Sequence, residues 1–136
     1  MKQLKSLFRS FTGLSARNIT ELPSSGSNRR YFRMESEKGT LIGTLGTCRE
    51  ENKAFIALAD HFYNQGLPVP KVYCHNREYS CYLQQDLGDI TLYNAIEGGR
   101  SKGNYDPSEK RLLMKVIKAL PLLQFKGAEG LDFGVC

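Results

Sequence analysis

A run of small residues followed by a basic and aromatic run is the part of the sequence with the clearest capacity for chemistry. The small residues are Ser24, Ser25, Gly26, Ser27 and Asn28, and the next five read Arg-Arg-Tyr-Phe-Arg. Small side chains let backbone N–H groups approach phosphate oxygens, whereas arginines between aromatic rings suit nucleic-acid phosphates and bases. The stretch alone leaves three interpretations open: an ordinary hairpin turn, a nucleic-acid patch, or a loop that closes over phosphates.

The overall composition limits these interpretations without choosing between them. The chain has 136 residues, of which 40% are apolar, and a net charge of +5. This length is enough for one domain with a core, and the charge suits an anionic partner or simple solubility. No segment approaches the ~20 apolar residues of a membrane helix. The four cysteines lack metal-ligand spacing and favour free thiols in a reducing cytoplasm over a Cys74–Cys81 bridge.

Residues 1–17 carry four basic residues and no acidic one. A targeting peptide has this composition, and so has an amphipathic helix. The apolar residues recur at i, i+3, i+4 and i+7, at Leu4, Leu7, Phe8 and Phe11. This spacing favours a first helix packed on the domain.

The next segment, residues 18–90, has the pattern of a sheet with one inserted helix. Strand-forming residues between turn residues predict five strands, at Asn18–Leu22, Arg30–Glu35, Thr40–Leu45, Lys71–Cys74 and Ser80–Leu83. Thr47 begins a Thr-Cys-Arg-Glu sequence of capping-box form, which predicts a helix from there to about Asn64. Apolar residues recur on one helix face at Phe55, Leu58 and Phe62, and Glu51 shares that face by helical phase.

Residues 91–136 are predicted to be mostly helical. The pattern predicts a short helix at Thr91–Ile96, a polar loop at Gly98–Pro107, a helix at Glu109–Leu123 and a loose end from Phe125. Pro121 should kink or end the longer helix. The fold class is therefore α+β, with a five-stranded antiparallel sheet, one helix inserted after the third strand, and flanking helical segments.

This order of elements resembles the N-terminal lobe of protein-kinase-like folds. Three stretches, SSGSNRRYFRM, REENKAFIALADHFYNQGLPVPKVY and CYLQQDLGDITLYNAI, look like the aminoglycoside phosphotransferase family. They are most similar to its bacterial amino-sugar kinases, which act on N-acetylmuramate and N-acetylglucosamine. The resemblance covers about residues 18–97.

The resemblance implies a nucleotide site that uses ATP and Mg²⁺ in the intact enzyme. It makes Ser24–Asn28 the loop over the phosphates, and Glu51 the helix glutamate that pairs with a strand-three lysine in kinases. A hinge that holds adenine through backbone groups would lie at Gln85, Asp86 and Leu87. An ordinary turn and an exposed charge are the competing interpretations of the loop and of Glu51. A plain turn that ends the strand is the competing interpretation of the hinge.

Two departures from the family pattern affect this expectation. The third strand, Leu-Ile-Gly-Thr-Leu-Gly, contains no lysine, so we hypothesise that Arg30 or Arg33 supplies the cation. The two arginines should lie on opposite strand faces. No catalytic loop with an Asp and a following Asn is present either, and Asp132-Phe133-Gly134 matches the kinase metal motif only by coincidence.

We therefore expect a nucleotide-binding lobe with its connector, without catalytic or metal-binding residues of its own, so enzymatic activity stays open. A small-molecule acceptor would be bound by a C-terminal lobe beyond Cys136. Three domains follow: residues 1–17, residues 18–90 and residues 91–136. A non-catalytic binding or regulatory module is the alternative. A homodimer through the stripe Leu112–Leu120 is a further expectation, whereas membrane and nucleic-acid partners are not expected.

Overall fold

The computed structural model describes residues 1–23, 26 and 28–135 of the chain. Its helices are α1 (Lys2–Thr12), α2 (Arg49–Asn64), α3 (Leu92–Ala95), α4 (Glu97–Lys102) and α5 (Pro107–Gln124). Its strands are β1 (Asn18–Glu21), β2 (Arg30–Ser36), β3 (Gly39–Leu45), β4 (Val72–His75) and β5 (Cys81–Gln85). The predicted α+β class, with α2 inserted after the third strand, is confirmed.

The five strands form one antiparallel sheet in the order β1-β2-β3-β5-β4. The register places Phe32 opposite Gly43, and Gly43 opposite Leu83. Because successive residues of a strand point to opposite faces, each face of the sheet receives alternate residues of every strand. One face packs against α1 and the other against α2.

Helix α1 covers the first face with its predicted apolar stripe. Leu4 and Phe8 are fully buried in a cluster with Phe32, Met34 and other sheet residues. A Cβ atom at Gly43 would lie 2.8 Å from the Met34 sulfur and 2.9 Å from Leu4. Glycine at this position therefore lets the helix approach the middle strand, and the helix predicted within residues 1–17 is confirmed.

Helix α2 covers the second face, but with a different stripe from the predicted one. Its buried residues are Asn52, Ile56 and Ala59, and the last two pack against Val72 and Tyr82. The predicted stripe of Phe55, Leu58 and Phe62 is only half-buried. The expected capping box is also wrong, because Cys48 is the N-cap and no side chain caps the helix.

The segment after the sheet contains one helix that was predicted to be a loop. Helix α4 includes Gly98 and Gly99, which lower helix propensity. The buried carboxylate of Glu109 accepts a hydrogen bond from the Gly99 N–H at 2.8 Å, and a Cβ atom at Gly99 would collide with the same carboxylate. This contact with the next helix overrides the weak local propensity.

Helix α5 begins with the capping box that α2 lacks. The Asp106 side chain accepts hydrogen bonds from the backbone N–H groups of Ser108 and Glu109, at 2.7 and 3.0 Å. Pro107 occupies the first turn, where its missing N–H is harmless. Pro121 lies inside the helix and does not end it. None of the helices in the described part of the chain combines the length and apolar content needed to cross a lipid bilayer.

Candidate functional site

The sheet face that packs against α2 carries two rows of paired side chains. Tyr31, Thr44 and Tyr82 are opposite one another in the first row. Arg33, Ile42 and Gln84 form the second row. We call these six residues the α2 face, and the face against α1 is the α1 face. The α2 face is the one that mixes polar groups with buried surface.

Three buried polar atoms on the α2 face make no hydrogen bond within the described residues. They are Thr44 Oγ1, Tyr82 OH and Gln84 Oε1. Burial raises the pKa of the Tyr82 phenol to about 12; the neighbouring Tyr31 phenol raises this pKa further, and the Thr44 hydroxyl lowers it. A buried polar group without a partner costs about 1–3 kcal/mol. Such groups commonly mark the position of a bound water or ligand.

Arg29 joins the start of β2 to helix α2. Its Nε donates to Asn52 Oδ1 at 3.2 Å and its Nη2 donates to the Glu51 carbonyl at 3.1 Å. Its guanidinium carbon lies 5.0 Å from the centre of the Phe55 ring. Arg29 was not among the predicted site residues. Its alternation with Tyr31 and Arg33, which share the α2 face, was the signal that could have identified it.

Asn52 is the polar residue of α2 that points toward the sheet. It is 1% exposed, and its Nδ2 donates to the Tyr79 carbonyl at 2.6 Å. A Cβ atom at Gly46 would collide with the Asn52 amide. One side chain thus connects β2, the end of β3 and the turn between β4 and β5.

Glu51 does not share the buried stripe, so its predicted inward position is wrong. Its side chain is exposed, because the stripe runs through Asn52 and Ile56 and leaves the preceding residue outside. The aromatic residues suggested a stripe one residue away from the one that α2 buries. The role of Glu51 in nucleotide binding stays a prediction.

Arg33 ties the α2 face to the segment that leaves β5. Its Nε and Nη2 bind the two Asp86 oxygens at 2.7 and 3.0 Å, and its Nη1 binds Asp89 Oδ1 at 2.6 Å. Asp86 Oδ1 also accepts from the Gly88 N–H at 2.9 Å. The hydrogen bonds with Arg33 lower the pKa of Asp86 to about 2 and raise the pKa of Arg33. We call Arg33, Asp86 and Asp89 the hinge clasp.

Arg30 lies on the α1 face, opposite to Arg33 as strand alternation predicted. Its Nε and Nη2 bind the two Glu21 carboxylate oxygens at 2.7 and 2.8 Å. Its guanidinium also stands 5.1 Å from the centre of the Phe32 ring. The hydrogen bonds lower the pKa of Glu21 and raise the pKa of Arg30. Arg30 and Arg33, one of which was expected to supply the phosphate-binding cation, therefore both bind carboxylates.

Ser24, Ser25 and Ser27 of the predicted phosphate loop lie outside the described residues. Gly26 has a φ of +67°, a left-handed conformation that glycine adopts without strain. Asn28 is exposed. The function of this loop therefore stays a prediction, and Arg29 at its end is the first residue with described side-chain contacts.

Gln85, Asp86 and Leu87, the predicted hinge residues, follow one another along the end of β5. The Gln85 N–H donates to the Lys71 carbonyl at 2.8 Å, and its side-chain oxygen accepts from the Lys71 N–H at 3.3 Å. Asp86 belongs to the hinge clasp, and Leu87 is 67% exposed. The segment is held in place by bonds to Arg33 of β2 and to Lys71, the residue that precedes β4.

Metal and catalytic groups were not predicted for this chain. Within the residues that the structure describes, no three His, Cys, Asp or Glu side chains converge on a metal position. Asp132, in the sequence Asp-Phe-Gly, accepts a hydrogen bond from the Gly134 N–H at 2.9 Å. This bond shapes a local turn, and Phe133 beside it is 68% exposed.

One antiparallel sheet of five strands, with a helix inserted after the third strand, has the arrangement of a kinase-like N-terminal lobe. The family model described as APH, the phosphotransferase enzyme family, matches residues 18–124. The chain belongs to this family. A comparison with curated proteins found no match.

Proposed function

We propose that this chain is the nucleotide-binding lobe of an ATP-dependent phosphotransferase that acts on a small molecule of the sugar, amino-sugar or aminoglycoside type. The supporting observation is the α2 face, where three buried polar atoms have no hydrogen-bond partner among the described residues and share the face with Arg33 of the hinge clasp, while Arg29 is bound to α2 beside it. In the proposed complex, adenine meets backbone groups of Gln85–Leu87. The phosphates lie toward Arg29 and the loop before it.

The residues of this face suit the nucleotide better than they suit its metal. Hydroxyl and amide oxygens on the α2 face can exchange hydrogen bonds with a ligand. The described residues offer no group of three carboxylate, thiol or imidazole ligands for Mg²⁺. In the proposed function Mg²⁺ arrives with ATP, where it neutralises charge on the phosphate oxygens. The catalytic aspartate and the acceptor site would come from residues outside the described lobe.

The test is a titration of the ¹⁵N-labelled chain with Mg·ATP, followed by NMR and thermal unfolding. We expect saturable shifts of amides in residues 29–33, 42–46 and 82–87, and few shifts in α1. At tenfold excess over Kd, binding should stabilise the fold by about 1.4 kcal/mol, which raises Tm by about 3–6 °C. Saturation without shifts on the α2 face, or no saturation at millimolar Mg·ATP, would contradict the proposal.

The alternative is a non-catalytic module, for which a nucleic-acid partner was considered. Two of the three arginines in the Arg-Arg-Tyr-Phe-Arg run bind carboxylates, Arg30 with Glu21 and Arg33 with Asp86. Because these two arginines are already paired with carboxylates, they are less suited to bind nucleic-acid phosphates than the sequence suggested. Oligonucleotide binding whose affinity falls steeply with salt, without any effect of ATP on Tm, would favour the alternative.

A further inference from the structure

The proposed function leaves one chemical requirement without a residue. In kinases a protein cation lies near the phosphates of the nucleoside triphosphate, and β3 contains no lysine that could serve this purpose. Three arginines lie in β2 or directly before it: Arg29, Arg30 and Arg33. Their contacts separate them.

Arg30 is excluded by the face on which it lies. Its strand neighbours on that face are Phe32 and Met34, which are buried in the cluster with α1. Its guanidinium is bound to Glu21 through two hydrogen bonds, at 2.7 and 2.8 Å. A ligand on the α2 face would be separated from Arg30 by the sheet itself.

Arg33 lies on the α2 face, but two carboxylates already compensate its charge. Asp86 binds it through both oxygens and Asp89 binds the remaining nitrogen. The three side chains together carry a net charge of −1, one arginine against two aspartates. Phosphates placed beside this group would be repelled by it.

Arg29 has the position that the other two lack. It directly follows the small-residue loop, and its guanidinium is held against α2 by the Asn52 side chain, the Glu51 carbonyl and the Phe55 ring. Burial raises the pKa of Tyr82, and the charge of Arg29 acts against that increase. The charge of Arg29 therefore acts on the buried Tyr82 phenol.

We infer that Arg29 is the residue that binds the nucleotide phosphates in place of a strand-three lysine, and that Asn52 is the positioning residue that orients it. This inference rests on the proposed function. In kinases the cation comes from the third strand and is oriented by a helix glutamate. Here the cation comes from the end of the phosphate loop, and an amide of the equivalent helix orients it.

The experiment compares two ligands, Mg·ATP and adenosine, by calorimetry on the full 136-residue chain. Arg29→Met should lower the affinity for Mg·ATP about 10- to 100-fold, as expected for loss of charge-assisted hydrogen bonds. Its adenosine affinity should stay unchanged, which also shows that the variant is folded. Arg29→Lys should retain part of the affinity. Arg17→Met, which removes an exposed cation outside the site, is the matched control.

The positioning role of Asn52 has its own readout. Asn52→Ala should weaken binding of Mg·ATP in the unmodified background and have no further effect on it in Arg29→Met, because Asn52 acts on the phosphates through Arg29. Unchanged adenosine affinity shows that loss of the Asn52–Tyr79 bond has not unfolded the variant. Additive losses would overturn the positioning role. Unchanged Mg·ATP affinity in Arg29→Met, or a larger loss in Arg30→Met or Arg33→Met, would overturn the inference on Arg29 and leave the proposed function standing. If the unmodified chain binds neither ligand, the proposed function and the inference both fail.

Discussion

For single residues, the side of an element on which a side chain lies was predicted correctly in strand β2. It was predicted wrongly in helix α2. Arg30 and Arg33 lie on opposite faces because a strand has period two. Glu51 was placed inward and is exposed, whereas its neighbour Asn52 is buried. The half-buried aromatic residues of α2 suggested the wrong buried face of this helix. Asn52 is polar, so hydrophobic periodicity could not identify it as buried.

Because Gly46 packs closely against Asn52, adding a single methyl group at Gly46 should lower the stability of the chain. Gly46→Ala would drive a Cβ atom into the buried amide of Asn52. We expect a loss of about 1–3 kcal/mol in the free energy of unfolding, the usual cost of overpacking. Urea denaturation monitored by circular dichroism measures it.

Thr47→Ala is the matched control for this change. Thr47 is exposed and lies one residue before the observed N-cap, Cys48. Its loss should change stability by less than about 0.5 kcal/mol. Equal effects at positions 46 and 47 would mean that the Asn52 contact is not what makes Gly46 necessary.

The hinge clasp predicts a pH dependence of stability. Hydrogen bonds from Arg33 lower the pKa of Asp86 to about 2 in the folded chain, below the value of about 3.9 for an unperturbed aspartate. The unfolded chain therefore binds the proton more readily, and the stabilisation is complete above pH about 4 and lost as pH falls toward 2. Stability measured between pH 5 and 2 should fall less in Arg33→Met than in the unmodified chain.

Carboxyl NMR provides the direct check on this prediction. The chemical shift of the Asp86 side-chain carboxyl carbon should have its titration midpoint near pH 2 in the unmodified chain. In Arg33→Met the midpoint should lie closer to pH 4. Arg17→Met, which removes an exposed ion pair with Glu37, should leave the Asp86 titration unchanged. A midpoint near 4 in the unmodified chain would contradict the described clasp.

At the scale of elements, predictions succeeded where each segment carries its own signal. The five strands are bounded by turn residues and rich in β-forming residues, so their number and their positions along the chain followed from local patterns. Helix α4 was missed because the N–H of its Gly99 is bound by Glu109, ten residues further along the chain. A contact between separate elements leaves no trace in the local pattern of either one.

The first helix gives a matched pair of variants. Phe8 is fully buried against the sheet, whereas Phe11, three residues later, is 46% exposed. Phe8→Ala should destabilise the chain by about 3–5 kcal/mol, the typical cost of removing a buried phenylalanine side chain. Phe11→Ala should cost clearly less. Thermal and urea unfolding measure both, and similar effects would contradict the packing of α1 on the sheet.

At the scale of the whole molecule, apolar surface is concentrated on α5. Val116, Ile117 and Leu120 are 39%, 57% and 50% exposed and lie on one side of the helix. Within the described residues, only Glu109 of this helix is buried. The apolar stripe was evident from the sequence, but its exposure was not, since a stripe alone does not tell which surface covers it.

The expected homodimer through this stripe stays a prediction that can be tested directly. Sedimentation of the unmodified chain should show association that increases with concentration. Ile117→Lys together with Leu120→Lys should shift the chain toward monomer, because a buried charge without a partner is costly. Lys115→Ala on the other side of the helix is the control. A monomer at all concentrations in the unmodified chain would exclude this dimer.

Strand β2 has a consequence for how movement passes through the lobe. Arg29 stands just before this strand and Arg33 stands within it, no more than about 14 Å apart along the chain. The first is bonded to α2 and the second to the segment after β5. Because β2 pairs with β1 on one side and with β3 on the other, we expect it to resist extension between α2 and the segment after β5. A displacement at one end should be felt at the other without any repacking of the core.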